Sequence, residues 1–428
     1  MDDDNESPDP DRLWTVRAAW VFPVAGPPLK NGAVTISGKR IVAVEAVPSR
    51  TVDEELADSA LLPGLVNAHT HLEFSDLAEP LGEPGGRFAD WIGKVIAYRA
   101  SRIDEAVTHQ AIIEGMEESA AEGVALAGEI ATNDWASSLG GAAWSSADDV
   151  GPTFFAFREI LGLAAERSDE LFATAERFLT SSRSRLDRRF AGLSPHAPYT
   201  VRFDLFERLV GLCAKYERPV AMHLAESGEE LELLRSHSGA SVEFLSARGF
   251  WRPDAMPRGA RILDYMEVLQ RAPSALVVHG TFLDDEEIAF LAERRDRMTV
   301  VYCPRTHARL IGGKYPLEDF LAAGVRVALG TDSRASNPDL SLWNEVKSVR
   351  ERFPRVPPER LLEMATKHGA EALMLSDRFG TIEPGRTSRL ATISLDASVQ
   401  STAANQPPWD ALFAESAQPG PYVPGART

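Results

Sequence analysis

Two histidines one residue apart, His69 and His71, close the short apolar run Gly64-Leu65-Val66-Asn67-Ala68. On a strand, residues two apart point to the same face, so both imidazoles can reach one metal ion. A pair of this kind also occurs without a metal. It gains weight only when other strands end in donors too. Five further segments do: Ser194-Pro195-His196-Ala197-Pro198-Tyr199-Thr200, His223-Leu224-Ala225-Glu226-Ser227, His279-Gly280, Cys303-Pro304-Arg305-Thr306-His307 and Gly330-Thr331-Asp332-Ser333. Six of the nine histidines fall in these strand-end segments, which random scatter would not readily produce. His109, His237 and His368 sit in helix-like stretches and receive no role.

The chemistry of His69, His71, His223 and Asp332 is that of a metal centre. Three imidazoles and a carboxylate, with no thiolate, suit Zn²⁺ or Fe²⁺. They are one ligand more than the usual three of catalytic zinc, so five-coordination with a water is expected. Such an ion lowers the pKa of its water from 15.7 to about 7. Each residue also has a plainer reading: Asp332 as a turn residue, Glu226 as a helix cap, a strand-end His as a hydrogen-bonded core residue.

The elements that must bring these residues together are eight apolar runs of strand length: Gly64–Ala68, Val124–Ile130, Thr153–Arg158, Phe190–Ser194, Val220–Met222, Ala275–Val278, Thr299–Tyr302 and Val325–Leu329. Helical periodicity marks Asp104–Glu122, Asp169–Leu186, Phe203–Tyr216, Glu286–Glu293, Leu317–Ala323, Leu340–Arg352 and Pro358–Leu375. The long connection after the fifth run has room for extra helices. Eight alternations predict an α/β fold, a (β/α)₈ barrel over 61–378, whose working residues end the strands. Closure places the eighth strand beside the first, so Asp332 meets His69 and His71 while His223 reaches across.

Short strands at Ala19–Phe22, Gly32–Ile36 and Arg40–Val44, separated by Gly and Pro, form a different pattern. Strand-and-turn character returns at Gly380–Gly385 and Leu390–Ile393. Residues 12–60 and 379–428 are therefore expected to form one composite β-sandwich, with 1–11 a disordered acidic tail.

The chain has 428 residues, 44% of them apolar, enough for a barrel and a second module. Its formal net charge of −18, with no long basic run, argues against nucleic acid or an anionic membrane as partner and leaves a small-molecule substrate. No window of ~18 apolar residues suggests a membrane span. The acidic start lacks the basic and apolar regions of a signal peptide. The two cysteines, Cys213 and Cys303, suggest reduced thiols in a cytoplasmic protein.

The ordered set resembles the amidohydrolase superfamily in its mononuclear deaminase branch. The resemblance rests on Pro63–His71, His223-x-x-Glu226, His279-Gly280, Gly330–Ser333, Ser194–Tyr199 and the closing Gly380-Thr381-Ile382-x-x-Gly385. Two-metal barrels of this kind often bridge their ions with a modified lysine on the fourth strand. No lysine occurs between Lys94 and Lys215, so one divalent ion is expected.

Within the branch the chain looks most like deaminases of purine nucleosides: S-adenosylhomocysteine, methylthioadenosine and aminodeoxyfutalosine deaminases. The run His71-Leu72-Glu73-Phe74-Ser75, with Phe88-x-x-Trp91-Ile92 and Val95-Ile96-x-x-Arg99, tilts the reading to the last. The seventh strand departs from the family, which usually ends it Cys-Pro-x-Ser-Asn; here it ends Cys303-Pro304-Arg305-Thr306-His307, and the departure is expected to lie near the substrate.

The resemblance implies hydroxide attack on the amine-bearing ring carbon, with Glu226 passing protons to the ring and to ammonia. It implies that His279 orients the water and that Asp332 both binds the ion and takes the proton. His196 is expected to hydrogen-bond the substrate. Glu73, Trp91, Arg158 and His307 are candidate substrate contacts, with packing or a surface ion pair an equal alternative for each. The resemblance also allows a homodimer. Alternatives are a triazine chlorohydrolase-like or guanine deaminase-like enzyme and, more remotely, a non-catalytic ligand-binding barrel.

Overall fold

The computed structural model of the chain describes residues 12–102, 104–132, 151–180, 190–395 and 406–425. Eight parallel strands pair in sequence order: Leu65–Thr70, Val124–Ala131, Thr153–Ile160, Ala191–Pro195, Val220–Leu224, Ala275–His279, Met298–Tyr302 and Val327–Leu329. Each matches one of the eight apolar runs to within a few residues. The barrel closes at its mouth, where Thr70 and Asp332 form a parallel bridge and the Asp332 N–H donates to the His69 carbonyl at 3.0 Å. Gly330 permits this approach, because a Cβ there would lie 2.9 Å from the His69 carbonyl oxygen. Asn67 fastens the same seam: its Nδ2 donates to Thr331 Oγ1 at 2.8 Å, and its Oδ1 accepts the Thr331 N–H at 3.2 Å.

Strand alternation sorts the barrel residues into two layers. Phe155, Phe157, Ala221, Leu276, Val278, Val301 and Ala328 fill the interior. Phe154, Ala156, Met222, Val277 and Val300 face outward against the helices. Both faces are apolar because both are covered, as parallel sheets require. The helix Lys367–Ala372 and the residues after it close the floor: Ala370, Leu373 and Phe379 join the interior cluster, and Ser274 Oγ donates to the Ala372 carbonyl at 2.7 Å.

The expected helices are present, with adjusted ends, at Glu105–Ala121, Ser168–Thr180, Phe203–Lys215, Asp285–Glu293, Leu317–Ala323 and Leu342–Arg352. The expected end of the second of these, beyond 180, lies outside the described residues. The single helix expected over Pro358–Leu375 is two, Pro358–Ala365 and Lys367–Ala372. They break at Thr366, where φ is −139° and Oγ1 bonds back to the Leu362 carbonyl at 2.6 Å. Helices that periodicity did not mark are Phe88–Ser101, Gly228–Ser236, Ala240–Ala247, Ile262–Leu269 and Pro304–Leu310. Three of these occupy the long connection after the fifth strand.

The terminal segments meet in one seven-stranded sheet. Glu54–Pro63 lies inside it, parallel to Leu13–Val21 and antiparallel to Leu390–Ser394. The sheet thus runs past residue 60 to Pro63 and passes directly into the first barrel strand. After residue 405 the chain adds a short helix, Trp409–Leu412, and an edge strand, Pro419–Pro421. The expected acidic tail, 1–11, lies outside the described residues. Among the described residues no helix is long and apolar enough to cross a membrane. Cys213 and Cys303 are free and buried.

Candidate active site

The mouths of strands one, five and eight bring four side chains to one point. His71 Nε2 lies 3.3 Å from His223 Nε2. Asp332 Oδ1 lies 3.5 Å from His69 Nε2 and 3.6 Å from His71 Nε2. Donors sharing an ion at bonds of about 2.1 Å in tetrahedral array stand about 3.4 Å apart. The observed spacings match that figure.

The electrostatics fit a cation as well. His69 is fully buried, and neither of its ring nitrogens has a hydrogen-bond partner. Burial pushes its pKa down to about 3, and burial likewise holds His71 and His223 well below the ordinary histidine value. The three rings are therefore neutral, the form that ligates. His223 Nδ1–H donates to the His196 carbonyl at 3.1 Å, which leaves the Nε2 lone pair pointing at His71 Nε2. This is the outer-shell bond that fixes a ligating tautomer. Ser336 Oγ–H donates to Asp332 Oδ2 at 2.7 Å and leaves Oδ1 for the shared point. Among the described residues, His69, His71 and His223 form the group able to hold a metal ion. The donor set takes a divalent metal.

Beside this point stand an acid and a base. His279 Nε2 is 3.3 Å from Glu226 Oε1. Burial first, then the nearby Asp332 and Glu230 carboxylates, holds the Glu226 carboxyl well above its ordinary value. These surroundings favour its protonated form, which has a proton to give. Strand alternation alone would send His279 outward, since Leu276 and Val278 face the interior. A left-handed backbone, φ 72°, turns its ring back over the mouth. Ala225 and Asp332 take the same conformation at φ 53° and 57°. Non-glycine residues in this region are held there by their surroundings. Glu230 supplies the hold at Ala225: its carboxylate accepts the N–H groups of Ala225 and Glu226 at 3.1 and 2.9 Å.

The remaining candidates separate. His196 and Trp91 line the pocket over the four donors, with Phe74, Tyr199 and Arg99. Thr200 Oγ1 bonds His196 Nδ1 at 2.8 Å, and Trp91 Nε1–H donates to the Ala335 carbonyl at 3.1 Å. Glu73 lies behind that wall, where Arg99 donates to its Oε1 at 2.6 Å. Arg158 lies outside the pocket wall and donates to the Ala131 carbonyl at 3.4 Å. Its neighbour Glu159, which the sequence did not single out, turns inward instead and lies behind that wall: Oε1 is 3.8 Å from His196 Nε2 and Oε2 is 3.8 Å from Arg99.

His307 is also outside the wall. Its ring is buried 5.2 Å from Tyr315 and 6.2 Å from Tyr302, centroid to centroid. Arg305 turns away to Asp339 and Glu345, with Nε 2.6 Å from Glu345 Oε1. The unusual seventh-strand ending is thus absorbed by packing and a buried ion pair, and the pocket wall does not include it.

A profile of the amidohydrolase family matches residues 60–420. An aminodeoxyfutalosine deaminase of Deinococcus radiodurans is 34% identical over 329 residues, which is 74% of either chain. The fold is shared with Helicobacter pylori aminofutalosine deaminase, solved in complex with methylthio-coformycin. That match has a TM-score of 0.77 and 22% identity, and covers 97% of this chain and 100% of that one. It is shared also with an adenosine deaminase of Xanthomonas campestris solved with bound zinc. There the TM-score is 0.70 at 24% identity, covering 95% and 89% of the two chains.

Proposed function

The chain belongs to the amidohydrolase family, and we propose that it is a hydrolytic deaminase of an adenine-type nucleoside of the aminodeoxyfutalosine or S-adenosylhomocysteine kind. The observation that carries this reading is the meeting of His69, His71, His223 and Asp332 at 3.3–3.6 Å beside the buried carboxyl of Glu226. The Deinococcus relative named for aminodeoxyfutalosine supports the nucleoside class. The four donors would hold one divalent ion, Zn²⁺ in first place, which when bound would supply the Lewis acidity that makes water nucleophilic at neutral pH. The zinc-containing Xanthomonas neighbour supports that choice of metal.

The chain's own groups move the protons. His279 Nε2 orients the attacking water toward the amine-bearing ring carbon, and Asp332 takes the proton that the water gives up. Glu226 donates its proton to the adjacent ring nitrogen. It then takes up the proton of the adduct's hydroxyl and relays it to the departing amine, and the proton held by Asp332 restores Glu226, so that nucleoside and water become the oxo-nucleoside and ammonia. His196, held by Thr200, hydrogen-bonds the substrate. Transfers of this type contribute about 10²–10⁴-fold each.

Glu226 also separates ammonia from other leaving groups. An amine departs only once protonated, whereas chloride needs no donor. The test sets ammonia release from a panel of adenine nucleosides against chloride release from a chlorotriazine, using protein of known metal content. Ammonia from the nucleosides is expected. Chloride release alone would replace this reading with that of a chlorohydrolase.

A further inference from the structure

Behind the mouth of the sixth strand, one buried hydroxyl reaches the backbone of the site. Tyr315 Oη–H donates to the His279 carbonyl at 2.6 Å. Tyr315 belongs to the loop between the seventh and eighth strands. Gly312 and Gly313, at φ 69° and 72°, turn the chain after the helix Pro304–Leu310 and send Tyr315 back toward the barrel. Three rings then hold it in one orientation. Tyr302 stacks on it at 3.7 Å and an interplanar angle of 10°, while His307 and Phe320 meet it edge-on at 5.2 and 5.7 Å, centroid to centroid. Burial raises its pKa well above the ordinary phenol value, so the hydroxyl keeps the proton it donates.

The peptide that Tyr315 grips is the one whose conformation aims His279. His279 stands at φ 72° and Gly280 at φ 60°, and this left-handed turn brings the imidazole to within 3.3 Å of Glu226. A residue with a Cβ stays in that region only where its surroundings hold it there. Both ends of the His279–Gly280 peptide are held. The Gly280 N–H donates to the Leu224 carbonyl at 3.0 Å, and the His279 carbonyl accepts from Tyr315. Without the hydroxyl, that carbonyl would lose this donor while staying buried, and the turn would keep its strain with less to offset it.

Resting on the deaminase reading and on the role of His279 in it, we infer that Tyr315 is a positioning residue: its hydroxyl clamps the His279–Gly280 peptide in the left-handed turn that aims the imidazole at the attacking water. The inference also gives the unusual seventh-strand ending a duty. His307 does not reach the pocket wall, yet its ring backs the one whose hydroxyl holds His279. The ending thus acts on the site from behind, through Tyr315, and not by touching the substrate.

The test uses the zinc-loaded, full-length protein and two variants that keep every ring of the stack. Tyr315→Phe deletes the donating hydroxyl. Tyr302→Phe deletes a hydroxyl buried in the same stack that has no hydrogen-bond partner among the described residues. Tyr315→Phe is expected to bind zinc as the wild type does, keep KM within about twofold and lose about tenfold or more in kcat, the split that marks an interaction made only in the transition state. Tyr302→Phe is expected to match the wild type in all three. Crystal structures of the two zinc-loaded variants read the clamp without turnover. In Tyr315→Phe the His279 backbone should leave φ 72° and its Nε2 should move away from Glu226, and in Tyr302→Phe neither should change. An unmoved His279 in Tyr315→Phe, an unchanged kcat, or an equal loss in both variants would overturn the inference. A wild type that deaminates no adenine nucleoside removes the deaminase reading instead, and the place of His279 in the two variant structures then decides the clamp by itself.

Discussion

At the scale of single residues, Glu226 and His69 have separable duties. Glu226 is a buried carboxyl near His279 whose pKa burial raises, and it is not among the donors at the shared point. Glu226→Gln is expected to keep the metal and lose at least about two decades of kcat, checked by elemental analysis and steady-state kinetics on the same sample. Near-wild-type turnover would remove Glu226 from proton transfer. His69→Ala, by contrast, should lose metal and activity together.

The residue scale is also where the sequence was both most and least legible. Donors at strand ends could be read because strands must end polar at a barrel mouth. Arg158 and Glu159 could not be told apart. The strand Thr153–Ile160 is apolar on both faces, so its sequence carries no alternation to say which neighbour looks inward. The interior placement of Phe155 and Phe157 settles the parity in favour of Glu159.

At the scale of elements, the loops after the strands do the positioning. Glu230 begins this in the helix Gly228–Ser236, fully buried and receiving two backbone N–H groups of the catalytic loop. Burial is the main cause that raises its carboxyl from 4.5 to about 7. Between those values the folded chain holds a proton that the unfolded chain has released. Stability therefore falls as pH rises through the window, by roughly 3 kcal/mol in all. Glu230→Gln does not titrate, so the wild type's Tm should drop relative to the variant's between about pH 4.5 and 7. Parallel Tm profiles would contradict this origin of the shift.

The seventh-strand loop makes a second case. Arg305 faces Glu345, whose side chain is wholly buried, and Asn337 links Glu345 Oε1 to the Thr331 carbonyl beside Asp332. Arg305→Ala leaves that carboxylate without its cation and is expected to cost about 3 kcal/mol in denaturant unfolding. A loss below about 1 kcal/mol would mean the pair is merely superficial. The sequence alone placed this segment near the substrate, because a motif position says nothing about which way a side chain turns once a partner forty residues away is available.

At the scale of the whole molecule, barrel closure is what converts scattered motifs into a site. Positions 69 and 332 become neighbours through Asn67, Thr331 and the bridge at Thr70. The count of eight runs was enough to predict this, since only closure lets all eight pair on both sides. The added helices between the fifth and sixth strands were less legible. They are short, eight or nine residues each, and give a periodic pattern few turns in which to show.

The account rests on one ion held where strands one, five and eight converge. The direct measurement is a zinc titration of metal-stripped protein, following ammonia release from an adenine nucleoside. Activity should be absent without metal, rise in proportion to added zinc and level off at one equivalent per chain. Full activity in the stripped protein, or a plateau only at two equivalents, would contradict the single-ion centre.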